Sequence, residues 1–117
     1  MGFFDNQRKK VQEQITQEAN SFLLDGENIE GLYQLIEDFV AITDRRILFV
    51  DKEFASSKKA ITSIPYSKLT SVSLSKGGFM KFSQEITLGI GSGKFEFKMY
   101  DPNEVMEVYK LITSKIL

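Results

Sequence analysis

Few residues in this chain combine the type and the spacing that chemistry needs. The nearest to a phosphate cradle is Gly89-Ile90-Gly91-Ser92-Gly93-Lys94, where glycines alternate ahead of a lysine. A Walker loop has the form Gly-x-x-x-x-Gly-Lys-Ser/Thr between a strand and a helix, so that backbone N–H groups and the lysine enclose the phosphates. Here Phe95 follows the lysine and the context is strand-turn-strand, so the glycines are expected to serve a hairpin that needs positive φ. Glu37 and Asp38 invite an acid–base reading, but neighbours on a strand point to opposite faces and cannot share a substrate without a bulge. Asp101 and Glu104 are accounted for as the start and first turn of a helix. Lys58, Lys59, Lys76, Lys81 and Lys94 are scattered over expected loops and read as solvated surface.

The composition excludes more than it admits. The 117 residues include no His and no Cys. Disulfides and thiolate sites are therefore impossible, zinc, haem and copper lose their usual ligands, and Ser-His or Cys-His nucleophiles cannot be built. Fifteen basic against sixteen acidic side chains leave a net charge of −1, without the basic surplus usual on nucleic acid or anionic lipid. Phe95 and Phe97 alternate with Lys94, Glu96 and Lys98, which puts rings and cations on opposite faces. A base-stacking platform needs them on the same face. No catalytic, cofactor-binding or metal-binding residue is expected, no nucleic-acid partner, and the binding residues stay unassigned.

At 42% apolar content with ten Phe, one domain with a genuine core is expected. No apolar run approaches the roughly 18 residues of a membrane span. Met1 to Lys10 places its apolar pair, Phe3-Phe4, before its cations, the wrong order for a signal peptide, and Asn6 breaks the myristoylation pattern that Gly2 opens. A cytoplasmic location is the expectation.

The elements follow from periodicity. Phe3 to Leu24 is helix-compatible, with Phe4, Val11, Ile15, Ala19 and Phe22 on one face and Arg8, Lys9 and Lys10 near its start. This helix is expected to dock on its own domain or on a neighbouring subunit; the alternative is an amphipathic helix on a membrane surface. Asp25-Gly26-Glu27-Asn28 is a turn that ends an N-terminal extension, 1–28, before a domain over 29–117. Strands are expected at Leu32–Ile36, Phe39–Thr43, Arg46–Val50, Ala60–Ile64, Leu69–Leu74, Phe82–Ile90 and Lys94–Tyr100. Both arms of the Phe39–Val50 hairpin are apolar on both faces, so something should cover the outer side. Asp44 is expected to hold the turn between them by bonding the backbone ahead of it. A last helix has Asp101 as N-cap, Pro102 at its first position and one stripe of Val105, Val108, Tyr109, Ile112 and Ile116. Short strands at near-regular spacing followed by one amphipathic helix suggest a small barrel or sandwich with a helical plug.

Two segments carry a resemblance. Val40-Ala41-Ile42-Thr43-Asp44-Arg45-Arg46-Ile47-Leu48-Phe49 and Ile64-Pro65-Tyr66-Ser67-Lys68-Leu69-Thr70-Ser71-Val72 together resemble the bacterial pleckstrin-homology-like (PH-like) domains, over roughly Ile29 to Leu117. The resemblance implies a mainly β fold with α: a partly open, seven-stranded antiparallel barrel of two near-orthogonal sheets, capped by the C-terminal helix. Eukaryotic relatives often bind phosphoinositides through basic residues in the loop joining the first two strands. Here that loop is the acidic Glu37-Asp38, so the lipid function is not carried over. What the resemblance does imply is a non-enzymatic scaffold or protein-interaction module of unassigned role, self-associating into a symmetric homo-oligomer, with a protein or peptide as a further partner. A peripheral membrane module using Phe3, Phe4 and Arg8 to Lys10 is the alternative.

Overall fold

The computed structural model describes residues 3–35, 38–52, 59–76 and 83–117. In chain order the elements are α1 (Phe3–Asn20), β1 (Ile29–Gln34), β2 (Phe39–Thr43), β3 (Arg46–Lys52), β4 (Lys59–Pro65), a 3-10 turn (Tyr66–Lys68), β5 (Leu69–Lys76), β6 (Gln84–Ile90), β7 (Gly93–Met99) and α2 (Pro102–Ile116). They form two antiparallel sheets, ordered β1-β2-β3-β4 and β5-β6-β7. Among the described residues no strand pair joins the two sheets, so the barrel is open, and α2 packs chiefly against β5 and β6. This is the fold class expected from the sequence.

The hairpin explains why so much of the chain is apolar. In β2 and β3, Val40 pairs with Phe49 and Ile42 with Ile47, and these side chains face the main core with α2 residues Val105, Val108 and Ile112. Their alternates, Phe39, Ala41, Leu48 and Val50, form a second buried cluster with Ile15 and Ala19 of α1. All five residues of β2 are buried. The cover expected over the outer face is thus α1, docked on its own domain. Each large side chain taken out of water in this way contributes about 1.5–3 kcal/mol. By contrast, the outer face of the second sheet carries Ser73, Ser75, Thr87, Glu96 and Lys98, the polar alternates expected of a sheet open to water on one side.

Three local expectations are corrected. β1 runs from Ile29 to Gln34, starting three residues before the expected Leu32, and Gly31 lies inside it at a register shift. A Cβ on Gly31 would stand 2.7 Å from the Tyr33 ring and 3.1 Å from Leu111 of α2, so glycine here serves close packing where a strand boundary was expected. The first helix ends at Asn20, before Leu24, and tightens into turns in which Phe22 N–H donates to Ala19 O at 3.0 Å. The β2–β3 turn is held by Thr43, whose Oγ1 accepts from the N–H groups of Arg45 and Arg46 at 3.1 and 3.0 Å. Asp44 instead accepts from Asn28 N–H at 2.9 Å, tying the turn to the start of β1.

A bulge resolves the phase of β5. Leu69 pairs with Ile90, yet the next pair is Ser71 with Gly89, so one residue is extra on β5. The shift brings Leu69 onto the inner face with Val72 and Leu74, three residues that strict alternation would split. Gly89 makes room for it, since a Cβ there would lie 2.4 Å from Ser71 Oγ. The expected strand start at Phe82, and Ile36, lie outside the described residues.

Candidate functional site

The residues that looked chemical in the sequence are not brought together. Gly91, at φ +59, is the turn between β6 and β7, as a hairpin requires, and Lys94 pairs with Glu96 at 3.1 Å on the solvated strand beside it. Lys76 is exposed at the end of β5. Lys58, Lys81 and Glu37 lie outside the described residues, as does the side chain of Lys59. Among the described residues no group of three or more acidic side chains could hold a metal ion.

The densest polar constellation is one the sequence did not announce. Glu27, read as part of a turn, is only 6% exposed. Its Oε2 accepts from Arg46 Nε at 2.9 Å and from Thr43 Oγ1 at 2.7 Å, and its Oε1 accepts from Arg46 Nη2 and Leu24 N–H, each at 2.9 Å. Arg46 also donates to Phe22 O at 2.8 Å and to Ser63 Oγ at 2.7 Å. The hydroxyl of Tyr66 bonds the carbonyl oxygens of Thr43 and Arg46 across the same corner. The Arg46 guanidinium, against the opposing effect of burial, holds the Glu27 carboxyl down to about 2. Burial and the nearby carboxylates raise the Tyr66 phenol. Four hydrogen bonds converge on the buried Glu27 carboxylate, which marks the network as a structural clasp between the turn before β1, the hairpin and the end of α1.

The cleft side of the molecule is the opposite end, where β1 turns into β2 and β7 runs into α2. Leu35 N–H donates to Asp38 O at 2.8 Å, closing the β1–β2 connection. Asp101 caps α2, accepting from Asn103 N–H at 2.9 Å, with Pro102 following as expected. Two depressions open here, of about 340 and 620 Å³, sharing Leu35 and Tyr100. The smaller has an apolar floor of Leu35, Phe49 and Phe97 and a rim of Asp38, Glu96 and Lys98. Phe49 is fixed edge-on against Phe95, with centroids 5.0 Å apart, so that floor is rigid aromatic packing. The larger lies between Arg8 and Gln12 of α1, Gln34 of β1, and Asp101 and Glu104 of α2. Burial first, then Asp101 and Glu107, raise the Glu104 carboxyl above its ordinary value.

Tyr100 is the residue here that alternation could have flagged. Phe97 and Met99 point inward, so Tyr100 must point out, and it is 49% exposed. Arg8 and Gln12 carry no such signal, because only the docking of α1 places them at this end.

A sandwich of a four-stranded and a three-stranded sheet, closed at one end by a C-terminal helix, defines a PH domain. The chain belongs to the bacterial PH domain family, whose model matches residues 2–116. It is similar to two curated proteins of Bacillus subtilis (strain 168). These are the uncharacterized protein YozO, 27% identical over 99% of this chain and 98% of that protein, and the uncharacterized protein YjqA, 29% identical over 80% and 79%. Among solved structures, a pleckstrin homology domain from Shewanella amazonensis SB2B superposes with a TM-score of 0.73 at 21% identity, over 90% of this chain and 87% of that one. A DUF1696 family protein with a pleckstrin-homology domain, from Shewanella loihica PV-4, gives 0.70 at 23% identity, over 90% and 92%. These likenesses carry the fold; none of the names assigns an activity.

Proposed function

We propose that this chain is a non-enzymatic, cytoplasmic interaction module that works by assembling with copies of itself through its sheet edges. The observation that supports this is strand β4, the last in its sheet. From Ala60 to Ser63 every residue is exposed and uncharged, and Ile61 is 46% exposed. Natural edge strands are blunted by charge, bulges or covering elements, because their open N–H and C=O groups template further pairing. Among the described side chains of β4, only Pro65, at its end, blunts the edge. A β-branched, uncharged edge of this kind suits pairing with the same edge of a second copy, an arrangement that closes by two-fold symmetry.

Light scattering after size exclusion, at tens of micromolar, tests this. The expected result is a mass of at least two subunits for the chain as it stands and a monomer for Ile61→Lys. A strict monomer for the unaltered chain would overturn the proposal.

The peripheral membrane alternative draws on Arg8, Lys9 and Lys10, which are exposed on α1. With them the sequence offers the apolar pair Phe3-Phe4, whereas Ile15 and Ala19, further along α1, are buried on the sheet. Co-sedimentation with anionic vesicles that depends on Arg8 to Lys10 would favour it over self-assembly.

A further inference from the structure

We infer that two copies of this chain join their β4 strands antiparallel in one register, with Ile61 opposite the partner's Ile61 on the two-fold axis. The register rests on the self-assembly through β4 proposed above and specifies which residues meet. The other sheet edges are blunted. β7 carries Lys94, Glu96 and Lys98 in alternation, α2 packs on β5, and β1 is bulged between Ile29 and Gly31 and tied to α2 by Glu30 and Lys115 at 2.6 Å.

Bonds within the first sheet fix which main-chain groups of β4 face outward. Asp38 O accepts from Leu35 N–H and Asp44 N–H donates to Asn28 O, so the even-numbered residues of β2 turn toward β1. Alternation turns Phe39 and Ala41 toward β3, where their partners Val50 and Leu48 face back to them. Ile47, Phe49 and Asp51 therefore face β4, opposite Ile64, Thr62 and Ala60. The open side of β4 is left with the N–H and C=O groups of Lys59, Ile61 and Ser63, and with the C=O alone of Pro65.

A two-fold antiparallel pairing sets one residue opposite its own copy, and the exposed stretch offers Ala60 to Ser63 for that place. Centred on Thr62 or Ser63, Pro65 enters a bonded pair and one N–H···O bond of that pair is lost. Centred on Ala60, Ser63 runs past the start of the partner strand. Centred on Ile61, Ile61 bonds its copy and Ser63 bonds the partner's Lys59, and each pair makes both its bonds. The side chains favour the same centre. Phe39, Val50 and Ile61 form one cross-strand row on the outer face, and their exposures run 1%, 0% and 46%. The row is buried with α1 over β2 and β3 and breaks off at the edge. Setting Ile61 against its copy carries the row across the axis and takes both side chains out of water. A Thr62 centre would instead oppose Ile61 to Ser63, whose Oγ already accepts from Arg46 at 2.7 Å.

The chain has no cysteine, so single cysteines read the register directly. Ala60→Cys, Ile61→Cys, Thr62→Cys and Ser63→Cys are each made in the full chain, oxidised mildly and followed by non-reducing electrophoresis, with light scattering of the unaltered chain alongside. Opposed Cα atoms stand about 5.5 Å apart in a bonded pair, within disulfide reach. Ile61→Cys is expected to cross-link about tenfold faster than the other three, whose own copies stand about 7 Å away or more. Ala60→Cys mixed with a mass-tagged Thr62→Cys keeps Ile61 in place and is expected to give the mixed dimer ahead of either self-linked one. Fastest linking at Thr62 or Ser63, or equal rates at all four, in a chain that scatters as a dimer would overturn the register and leave self-assembly standing. A strict monomer would overturn both.

Discussion

Glu27 accepts four hydrogen bonds, and it gives the protein a calculable response to acid. Its carboxyl is held at about 2 in the folded chain against an ordinary 4.5, so the folded state favours the ionised form. For a depressed carboxyl the stabilisation is fully present above the unfolded value and is lost as pH falls through the folded one. Thermal midpoints should therefore hold level down to about pH 4.5 and decline from there toward 2. In Glu27→Gln that decline should be shallower, because the group that takes up the proton is gone. Equal acid slopes for the two proteins would show that the clasp does not govern the effect. The partner tells the same story from the other side. Arg46→Met would leave a carboxylate buried among Thr43 and the backbone, a loss of about 3–5 kcal/mol in urea denaturation, since a buried pair broken on one side costs more than it contributed whole.

At the scale of elements, α1 is the decisive piece. Its stripe is thin, yet it covers four side chains of the hairpin, Phe39, Ala41, Leu48 and Val50. Helical propensity alone would not hold an isolated segment of this length, so the docking surface is what keeps it folded. Ile15→Ala should cost about 2–4 kcal/mol by the removal of buried methyl groups and the cavity they leave. The same variant should bring early hydrogen exchange to the α1 amides while β6 stays protected. Uniform exchange across both would mean that α1 and the sheets unfold as one unit.

At the scale of the whole molecule, charge is nearly neutral in sum but divided in space. The cleft end gathers carboxylates around an aromatic floor, whereas the second sheet shows water a mixed polar face. Edge strand β4 exposes four uncharged residues in a row, Ala60 to Ser63, and the assembly prediction belongs here. Mass should rise with concentration for the unaltered chain, and one lysine at position 61 should hold it at a single subunit, because a charge cannot be buried unpaired between two edges. A mass unaffected by that lysine would place subunit contacts elsewhere.

The order of the elements, the cap and stripe of α2, the inward face of β7 and the exclusion of His- and Cys-based chemistry are legible in the sequence. These are local or compositional matters, settled by alternation, 3.6-residue periodicity and the side chains on offer. Its two-faced apolar hairpin even required a cover without saying which element supplied it. Packing makes α1 that cover, seats Gly31 within β1 against α2, and lets the bulge at β5 put Leu69 in phase with Val72. It alone buried Glu27 on Arg46, nineteen residues apart in sequence, and brought Arg8 and Glu104 to the walls of one cleft. The physical reason is the same in each case. Burial and partner choice depend on which surfaces meet, and a charge reads as a solvated turn residue until packing removes the water around it.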